Sequence, residues 1–249
     1  MRVSFAGGGS DIPSYYRGQR GCVVSTAIKK YIYIAVNKCF DDRIIVRYSK
    51  EEKVRSIDEL EHNLIREALR IVDIRKGIDI SATADVPSEG SGLGSSSSFV
   101  VGVLHALYAF KGKHVSAETL AQDACRIEIE ILKKPIGKQD QYAAAYGGFN
   151  YLQFNPDKSV YIDPIICQFG IKERLENNLL LLYTGITRSS DTILVKQNRN
   201  MQESSQKQGI MAQMVTIADE MRESLRKNKL NTFGELLDEI LDGEHRVLV

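Results

Sequence analysis

Residues 87–98 read P-S-E-G-S-G-L-G-S-S-S-S, and this stretch decides the fold assignment. Gly90, Gly92 and Gly94 let the main chain adopt conformations closed to other residues and approach a ligand closely. Four serines follow and run directly into the apolar segment Phe99–Phe110, which we predict to be a buried helix. Because a helix N-terminus presents free N–H groups and a partial positive charge, the stretch predicts a phosphate-binding site.

Three other interpretations of this stretch are disfavoured. A Walker A loop requires G-K-[ST], which is absent. A dinucleotide-binding G-x-G-x-x-G that opens at Gly90 would place glycine at position 95, where the chain has Ser95. A flexible Gly/Ser linker would not run straight into Phe99-Val100-Val101 and a buried helix.

Composition restricts the class of protein. The chain has 249 residues, long enough for one large domain or two modest ones. Its 43% hydrophobic and 26% charged residues are typical of a soluble globular protein. A net charge of +1 predicts neither a nucleic acid nor a membrane partner. The four cysteines lack metal-site spacing and no signal peptide is visible, so we expect a cytoplasmic protein with reduced thiols.

Hydrophobic periodicity predicts a mixture of strands and helices without regular βαβ alternation, which favours the α+β class. We expect a hairpin of Cys22–Val36 with Arg43–Tyr48 and further strands at Arg2–Ala6, 78–84, Phe149–Phe154 and Leu179–Tyr183. We expect helices over Ile57–Val72, from Ser116 to about Lys134, and after Ser190. A turn at Asn155-Pro156-Asp157 predicts two domains, residues 1–155 and 156–249.

The glycine-rich stretch resembles the phosphate loop of the GHMP kinases, the superfamily of galactokinase, homoserine kinase, mevalonate kinase and phosphomevalonate kinase. In that family a proline-led G-L-G-S-S segment binds the nucleotide phosphates, and Pro87–Ser96 is similar to it. The resemblance implies that ATP is held by Pro87, Gly90, Gly92, Leu93, Gly94, Ser95, Ser96, Ser97 and Ser98.

A second segment, R-V-S-F-A-G-G-G-S-D at Arg2–Asp11, carries the same resemblance. Galactokinases have an arginine near the catalytic base and a sugar-binding aspartate at this nine-residue separation. The triple glycine, with Tyr15 nearby, looks most like the bacterial heptose 7-phosphate kinases, because galactokinases have acidic and histidine residues at the glycine positions. The resemblance implies a catalytic Arg2 and a substrate site at Gly8, Gly9, Ser10, Asp11 and Tyr15.

A third segment, G-K-Q-D-Q from Gly137, resembles the family's G-x-x-D segment, whose aspartate is the catalytic base. The resemblance implies that Asp140 takes the proton of a sugar hydroxyl and that Gly137 lies at the substrate. A nearby Arg2 would keep Asp140 ionised and stabilise charge in the transition state.

The resemblance also implies Mg²⁺, held by a loop serine and a glutamate from the helix before the base. Ser96 is the matching serine, with Ser95 and Ser97 close by. Glu128 and Glu130 fall on opposite sides of that helix's apolar stripe, at 100° per residue. Glu128 shares its side with small and apolar residues, whereas charged residues accompany Glu130, so we predict Glu128 as the ligand.

The C-terminal third matches the family less well. Arg188, in T-G-I-T-R-S-S, is a candidate for binding a sugar phosphate, although an ordinary surface arginine is an equal alternative. The family's second glycine-rich motif has no counterpart after Asp191. We therefore expect an N-terminal ribosomal-protein-like α/β domain and an incomplete ferredoxin-like C-terminal domain.

Together these features predict an ATP-dependent kinase that phosphorylates the anomeric hydroxyl of a heptose 7-phosphate. Its expected partners are the sugar phosphate and ATP, with no nucleic acid and no membrane. Two alternatives stay open: a galactose- or fucose-type sugar kinase of the same family, and a non-catalytic relic that binds nucleotide or sugar. The sequence leaves the oligomeric state undetermined.

Overall fold

The computed structural model describes residues 1–86, 91–180, 182, 194–195, 198–199 and 204–248. Its contacts divide the chain into two compact units that interleave along the sequence. The first comprises Met1, Ile28–Lys134 and Asp140–Tyr146, and the second comprises Arg2–Ala27, Pro135–Gln139 and Gly147–Val249. The boundary expected between residues 155 and 156 falls within the second unit, and a domain division at that point stays a prediction.

Eight strands and eight α-helices are described. The strands are β1 Arg2–Ala6, β2 Gly21–Ala27, β3 Ile32–Lys38, β4 Ile44–Arg47, β5 Glu51–Val54, β6 Ile78–Ala84, β7 Phe149–Phe154 and β8 Val160–Pro164. The helices are α1 Pro13–Tyr16, α2 Asn63–Val72, α3 Ser95–Phe110, α4 Ala117–Cys125, α5 Gln139–Tyr146, α6 Ile171–Asn177, α7 Ser205–Arg226 and α8 Leu230–Leu248.

The sheet of the first unit has the strand order β3-β6-β4-β5. Strand β3 pairs antiparallel with β6 from Ile32↔Ala84 to Lys38↔Ile78, and β4 pairs with the other edge of β6 in parallel. The predicted hairpin between the β3 and β4 regions is therefore wrong. Strand β6 lies between them and pairs with seven residues of β3 and four of β4.

Two helices supply half of the buried residues in the first unit's core cluster. Helix α2 buries one face, whose residues recur every three to four positions: Leu64, Ile65, Ala68, Leu69 and Val72. It begins at Asn63, later than predicted, because residues Ile57–Glu59 form a separate 3₁₀ turn. Helix α3 buries Val100, Val103, Leu104 and Leu107 as predicted, and each fully buried aliphatic side chain contributes about 1.5–3 kcal/mol.

The predicted helix from Ser116 to about Lys134 changes its form along its length. Ser116 caps α4 as expected, since its hydroxyl accepts from the Thr119 N–H at 3.1 Å. After Cys125 the chain continues as a π-helix over Arg126–Ile131. Such wide turns are rare and often occur at functional sites. They shift the direction of every side chain that follows, which straight α-helical periodicity does not predict.

The second unit is built on the antiparallel sheet β1-β2-β7-β8. Helices α1, α6, α7 and α8 contribute to its core, in which Phe5 packs 5.8 Å from Phe149 and 5.3 Å from Phe233 between ring centroids. Methionines 211, 214 and 221 of α7 are buried in the same cluster. With two sheets and helices in both units, the predicted mixed α+β class is confirmed.

The apolar segment predicted as a strand at Leu179–Tyr183 does not form one at its described positions. Leu179, Leu180 and Leu182 have no strand conformation, and Leu180 and Leu182 are exposed. An apolar run alone carries no information about its pairing partner. Nowhere in the described part of the chain does a helix have both the length and the apolarity needed to span a membrane.

Candidate active site

The four serines that follow the glycine-rich stretch form the start of α3, as predicted. Gly94 is the N-cap, with φ +70° in the left-handed region that favours glycine. A glycine cap has no side chain with which to accept the first-turn N–H groups, which suits a ligand anion at this end. Pro87 and Gly90, both predicted to bind ATP, lie outside the described residues.

The four serines at this helix start have different surroundings. Ser95 hydrogen-bonds the Ser91 hydroxyl at 2.8 Å, and both Ser95 and Ser97 are buried. The Ser98 hydroxyl is buried and has no hydrogen-bond partner among the described residues. Ser96 is the exposed member of the group, and its hydroxyl donates to Glu128 Oε1 at 3.0 Å.

The structure therefore brings together the two predicted metal ligands, Ser96 and Glu128. Glu128 is fully buried on the π-helix, whereas Glu130 is exposed. The other carboxylate oxygen of Glu128 accepts from Gln141 Nε2 at 2.7 Å. The preference for Glu128 over Glu130 agrees with this placement, and its role as a ligand stays a prediction.

These donors fit a magnesium ion. A hydroxyl and a buried carboxylate are the hard oxygen ligands that Mg²⁺ prefers, and the ion usually keeps waters and phosphate oxygens in its remaining positions. Among the described residues no group of three or more His, Cys, Asp or Glu side chains forms a protein-only metal site. A two-ligand site completed by nucleotide phosphates is therefore the arrangement that these residues support. The Lys134 ammonium also contacts both candidate metal ligands, Ser96 Oγ and Glu128 Oε1, at 3.0 Å each.

The predicted base, Asp140, lies against the start of α3 within the first unit. A Cβ built on Gly94 would meet Asp140 Cγ at 3.1 Å and its two carboxylate oxygens at 3.3 and 3.4 Å. Position 94 thus requires glycine both for its φ and for this close approach. The N-terminus of α3 stabilises negative charge, so the Asp140 carboxylate lies in a favourable field.

The second unit carries the segment Arg2–Asp11. Ser10, predicted to bind substrate, is fully buried and serves the loop itself. Its hydroxyl donates to the carbonyls of Gly7 and Cys22 at 2.7 and 2.9 Å and accepts from the Cys22 N–H at 3.0 Å. These bonds fix the glycine-rich loop to β2, and a contact between Ser10 and substrate stays a prediction.

Asp11 is also turned inward, with only 2% of its surface exposed. Its Oδ1 accepts from the Gly9 N–H at 3.1 Å, and its Oδ2 accepts from the Gln139 N–H at 2.9 Å. A Cβ on Gly137 would lie 1.9 Å from Oδ2, so Gly137 is glycine because Asp11 occupies that space. Asp11 therefore anchors residues 137–139 of the second unit, and its contact with sugar hydroxyls stays a prediction.

Other predicted residues are dispersed. Tyr15 packs in the core of the second unit, and burial raises the pKa of its hydroxyl to about 12. Arg2 lies on β1 and Gly8 in the following loop. Arg2 and Asp140 belong to different units, so the predicted pairing of these two residues stays a prediction. Arg188 lies outside the described residues.

Sequence reasoning missed three residues at these clusters. Lys134 and Gln141 contact Glu128, and Gln139 holds Asp11 through its backbone and, at 3.4 Å, through its side chain. The two glutamines flank Asp140 in the G-K-Q-D-Q segment. Their position beside the predicted base is the feature of the sequence that could have indicated a role for them. Lys134 gave no signal, because its position depends on the π-helix.

The central segment of the chain and its overall sequence are both similar to known proteins. Residues 54–148 match the profile of the GHMP kinases N terminal domain. Over 254 aligned residues the chain is 31% identical to D-glycero-alpha-D-manno-heptose 7-phosphate kinase from Campylobacter jejuni, covering 95% of this chain and 73% of that protein. The chain belongs to the GHMP kinase family.

Solved structures extend the similarity of this GHMP kinase to nearly its whole length. A D-glycero-D-manno-heptose 1-phosphate kinase from Bacteroides thetaiotaomicron superposes with a TM-score of 0.83 at 27% identity, covering 99% of this chain and 78% of that one. A putative sugar kinase from Campylobacter jejuni gives a TM-score of 0.74 at 30% identity, covering 95% and 71%. The family, the fold class and the enzyme class, a carbohydrate kinase with ATP as phosphate donor, are thereby confirmed for this GHMP kinase.

Proposed function

We propose that this carbohydrate kinase transfers the γ-phosphate of ATP to the anomeric hydroxyl of a heptose 7-phosphate in the cytoplasm. The observation that carries the proposal is the position of the Asp140 carboxylate against Gly94, at the start of the phosphate-binding helix. A residue that orients the attacking hydroxyl and accepts its proton is a recurring part of enzymes that transfer phosphate to an alcohol. The name of the heptose 7-phosphate kinase that this chain resembles supports the choice of acceptor.

In the proposed reaction the anomeric oxygen attacks the γ-phosphorus. The bond between that phosphorus and the oxygen bridging to the β-phosphate breaks, and its electron pair leaves with ADP. Asp140 takes the proton of the attacking hydroxyl. General-base assistance of this kind is typically worth about 10²–10⁴-fold in rate.

The remaining residues position phosphates and balance charge. The first-turn amides of α3 and the hydroxyls of Ser95 to Ser98 would bind the nucleotide phosphates. Ser96 and Glu128 would hold Mg²⁺, which supplies positive charge to the phosphate oxygens when bound. Gln141 keeps the Glu128 carboxylate oriented through its 2.7 Å hydrogen bond.

The acceptor's own phosphate distinguishes this proposal from a galactose- or fucose-type activity. We propose that Arg188 contributes to binding it, because a guanidinium pairs with phosphate in bidentate geometry. The substrate-binding roles of Gly8, Gly9, Ser10, Asp11 and Gly137 are proposed for the loops that contact the sugar. Asp11 and Ser10 would act there mainly by shaping those loops.

A coupled ADP-release assay tests the choice of acceptor. The panel contains heptose 7-phosphate, the same heptose without phosphate, galactose and fucose. We expect turnover with heptose 7-phosphate and at least tenfold lower kcat/KM for each unphosphorylated sugar. Preference for galactose or fucose would contradict the proposed substrate, and ATP binding without ADP release from any member would favour a non-catalytic binding protein.

The role of the base is tested by Asp140→Asn. We expect kcat to fall by about 10²–10⁴-fold while the affinity for ATP changes little, since the amide cannot accept the proton but preserves the shape. Asp157→Asn, in an exposed turn, is the matched control and should leave kcat unchanged. Full turnover in Asp140→Asn would refute the assignment of Asp140.

A further inference from the structure

Lys134 places a positive charge on both predicted metal ligands. Its Nζ lies 3.0 Å from Ser96 Oγ and 3.0 Å from Glu128 Oε1, which are themselves 3.0 Å apart. The three atoms therefore form a triangle with equal sides. The ammonium contacts the same two oxygens that would bind the cation.

The backbone brings Lys134 back to this position. The π-helix ends at Ile131, and Lys133 then adopts a left-handed φ of +54°. The Lys134 N–H donates to the Glu128 carbonyl at 2.9 Å. Both the main chain and the side chain of Lys134 are thus bonded to Glu128, which distinguishes it from a solvent-exposed lysine that reaches the site by chance.

The charge on Glu128 explains why a cation is needed there. Its side chain is 0% exposed, and a buried carboxylate is strongly destabilising unless it is paired and hydrogen-bonded. Gln141 satisfies Oε2 with a neutral donor, so among the described partners Lys134 provides the balancing charge. The Lys134 side chain is 24% exposed, which gives it a route out of the site.

An ammonium and a magnesium ion cannot occupy the same face of this oxygen pair at the same time. Mg²⁺ binds oxygen at about 2.0–2.1 Å and requires near-octahedral geometry. An ammonium at 3.0 Å from both ligands takes up the face of the pair on which Lys134 lies. Entry of the metal on that face therefore requires Lys134 to move away.

We infer that Lys134 is a tethered cation that occupies the Ser96–Glu128 site and competes with divalent metal for it. The inference rests on the proposed metal site of the kinase. It assigns Lys134 a positioning role: the lysine neutralises Glu128 when metal is absent and weakens binding of free divalent cations. When displaced, its ammonium becomes available to a phosphate oxygen, so metal that arrives with nucleotide is favoured over metal alone.

The experiment measures Mn²⁺ binding to the full chain by electron paramagnetic resonance, without nucleotide or sugar. Lys134→Met should bind Mn²⁺ at least tenfold more tightly than the unmodified protein. Lys133→Met, which removes one charge at the neighbouring exposed residue, is the matched control and should bind as the unmodified protein does. Combining Lys134→Met with Glu128→Gln should abolish the gain.

Equal or weaker Mn²⁺ binding by Lys134→Met would overturn the inference, as would a gain that survives Glu128→Gln. Lys134→Gln provides a second test if the methionine variant folds poorly, because its amide retains a hydrogen-bond donor without charge, and it should also bind Mn²⁺ more tightly. Mn²⁺ should raise the Tm of either variant more than that of the unmodified protein. Since the ADP-release assay is independent of this measurement, failure here and failure of the proposed sugar kinase activity are distinguishable.

Discussion

The carboxylate of Asp11 accepts a hydrogen bond from the backbone N–H of Gln139 at 2.9 Å, joining two motifs that lie 128 residues apart in the chain. The same side chain accepts from the Gly9 N–H and is almost completely buried. Asp11 and Gln139 both belong to the second unit, so this bond sets the geometry of the two residues there. Its role can be tested by changing only the acceptor atoms.

Asp11→Asn should lower the free energy of unfolding by about 1–3 kcal/mol, because one oxygen becomes an NH₂ group facing an N–H donor in a buried site. Urea titration provides the measurement. Asp157→Asn is the control, since Asp157 also accepts from a backbone N–H but is exposed, and its change should stay within about 0.5 kcal/mol. Equal stability of the two variants would contradict the anchoring role.

Gly137→Ala should be more damaging than its size suggests. The new Cβ would lie 1.9 Å from Asp11 Oδ2 and 2.4 Å from its Cγ, so either the loop or Asp11 must move. We expect a loss of stability of about 1–3 kcal/mol, comparable to overpacking of a core. In the same unit, Gly209→Ala places its Cβ in open space on α7 and should be neutral or stabilising by thermal denaturation.

Gly94→Ala should reduce catalysis as well as stability. The left-handed φ of +70° costs an L-residue about 1–2 kcal/mol, and the Cβ would press on the Asp140 carboxylate at 3.1 Å. Gly112→Ala has a φ of +68° with nothing near its Cβ, so it isolates the backbone cost. The two variants should lose similar stability, but only Gly94→Ala should lower kcat in the ADP-release assay, by tenfold or more. Unchanged kcat in Gly94→Ala would contradict the placement of Asp140 at the phosphate site.

Gln141→Leu should weaken metal binding without removing a ligand. The buried amide donates to Glu128 Oε2, and its loss leaves that oxygen without its described donor. Groups that orient a metal ligand typically affect metal affinity by about 10–100-fold. Titrating Mg²⁺ in the kinase assay should show a shift of this size, whereas Gln122→Leu on the exposed face of α4 should show none. Identical Mg²⁺ dependence in both variants would show that Gln141 does not support the site.

Alkaline pH should destabilise the second unit through Cys22. Burial raises the pKa of this thiol to about 12, from an ordinary value near 9. Above about pH 9 the unfolded chain releases the proton while the folded chain retains it, so stability is lost as the pH rises from about 9 towards 12. One such group contributes a slope of up to about 1.4 kcal/mol per pH unit.

Cys22→Ala should therefore flatten the decline in stability between about pH 8 and about pH 10.5, measured by urea unfolding. Cys39→Ala, at a half-buried thiol of the first unit, is the control. An unchanged slope in Cys22→Ala would assign the alkaline sensitivity to other groups, of which the buried Tyr15 is one, since burial also raises its pKa to about 12.

Local patterns predicted the parts of the site that depend on helical geometry. The run from Ser95 to Phe110 formed a helix with the serines at its start, because apolar content and a glycine cap act within a few residues. The preference for Glu128 over Glu130 also agrees with the structure, since the buried residue is the one that contacts Ser96, although both glutamates lie in the π-helix and not in the straight α-helix that the periodicity assumed. These outcomes required no knowledge of distant contacts.

Other features depended on residues far apart in the chain. The insertion of β6 between β3 and β4 follows from pairing over more than thirty residues, which a hairpin pattern cannot reveal. The inward positions of Ser10 and Asp11 depend on β2 and on the G-K-Q-D-Q segment. A sequence does not distinguish a buried polar residue from an exposed one, so only the folded structure shows that Ser10 and Asp11 are buried.

The sequence by itself determined the family, the mixed α+β class and the start of helix α3 at the serine run, because those properties reside in short motifs and local periodicity. Only the tertiary structure decided that Asp11 anchors the segment before Asp140 and that Lys134 reaches the Ser96–Glu128 pair. The first depends on a contact across 128 residues, and the second depends on a π-helix and a left-handed residue. Both depend on how the folded backbone directs each side chain, which residue spacing alone does not specify.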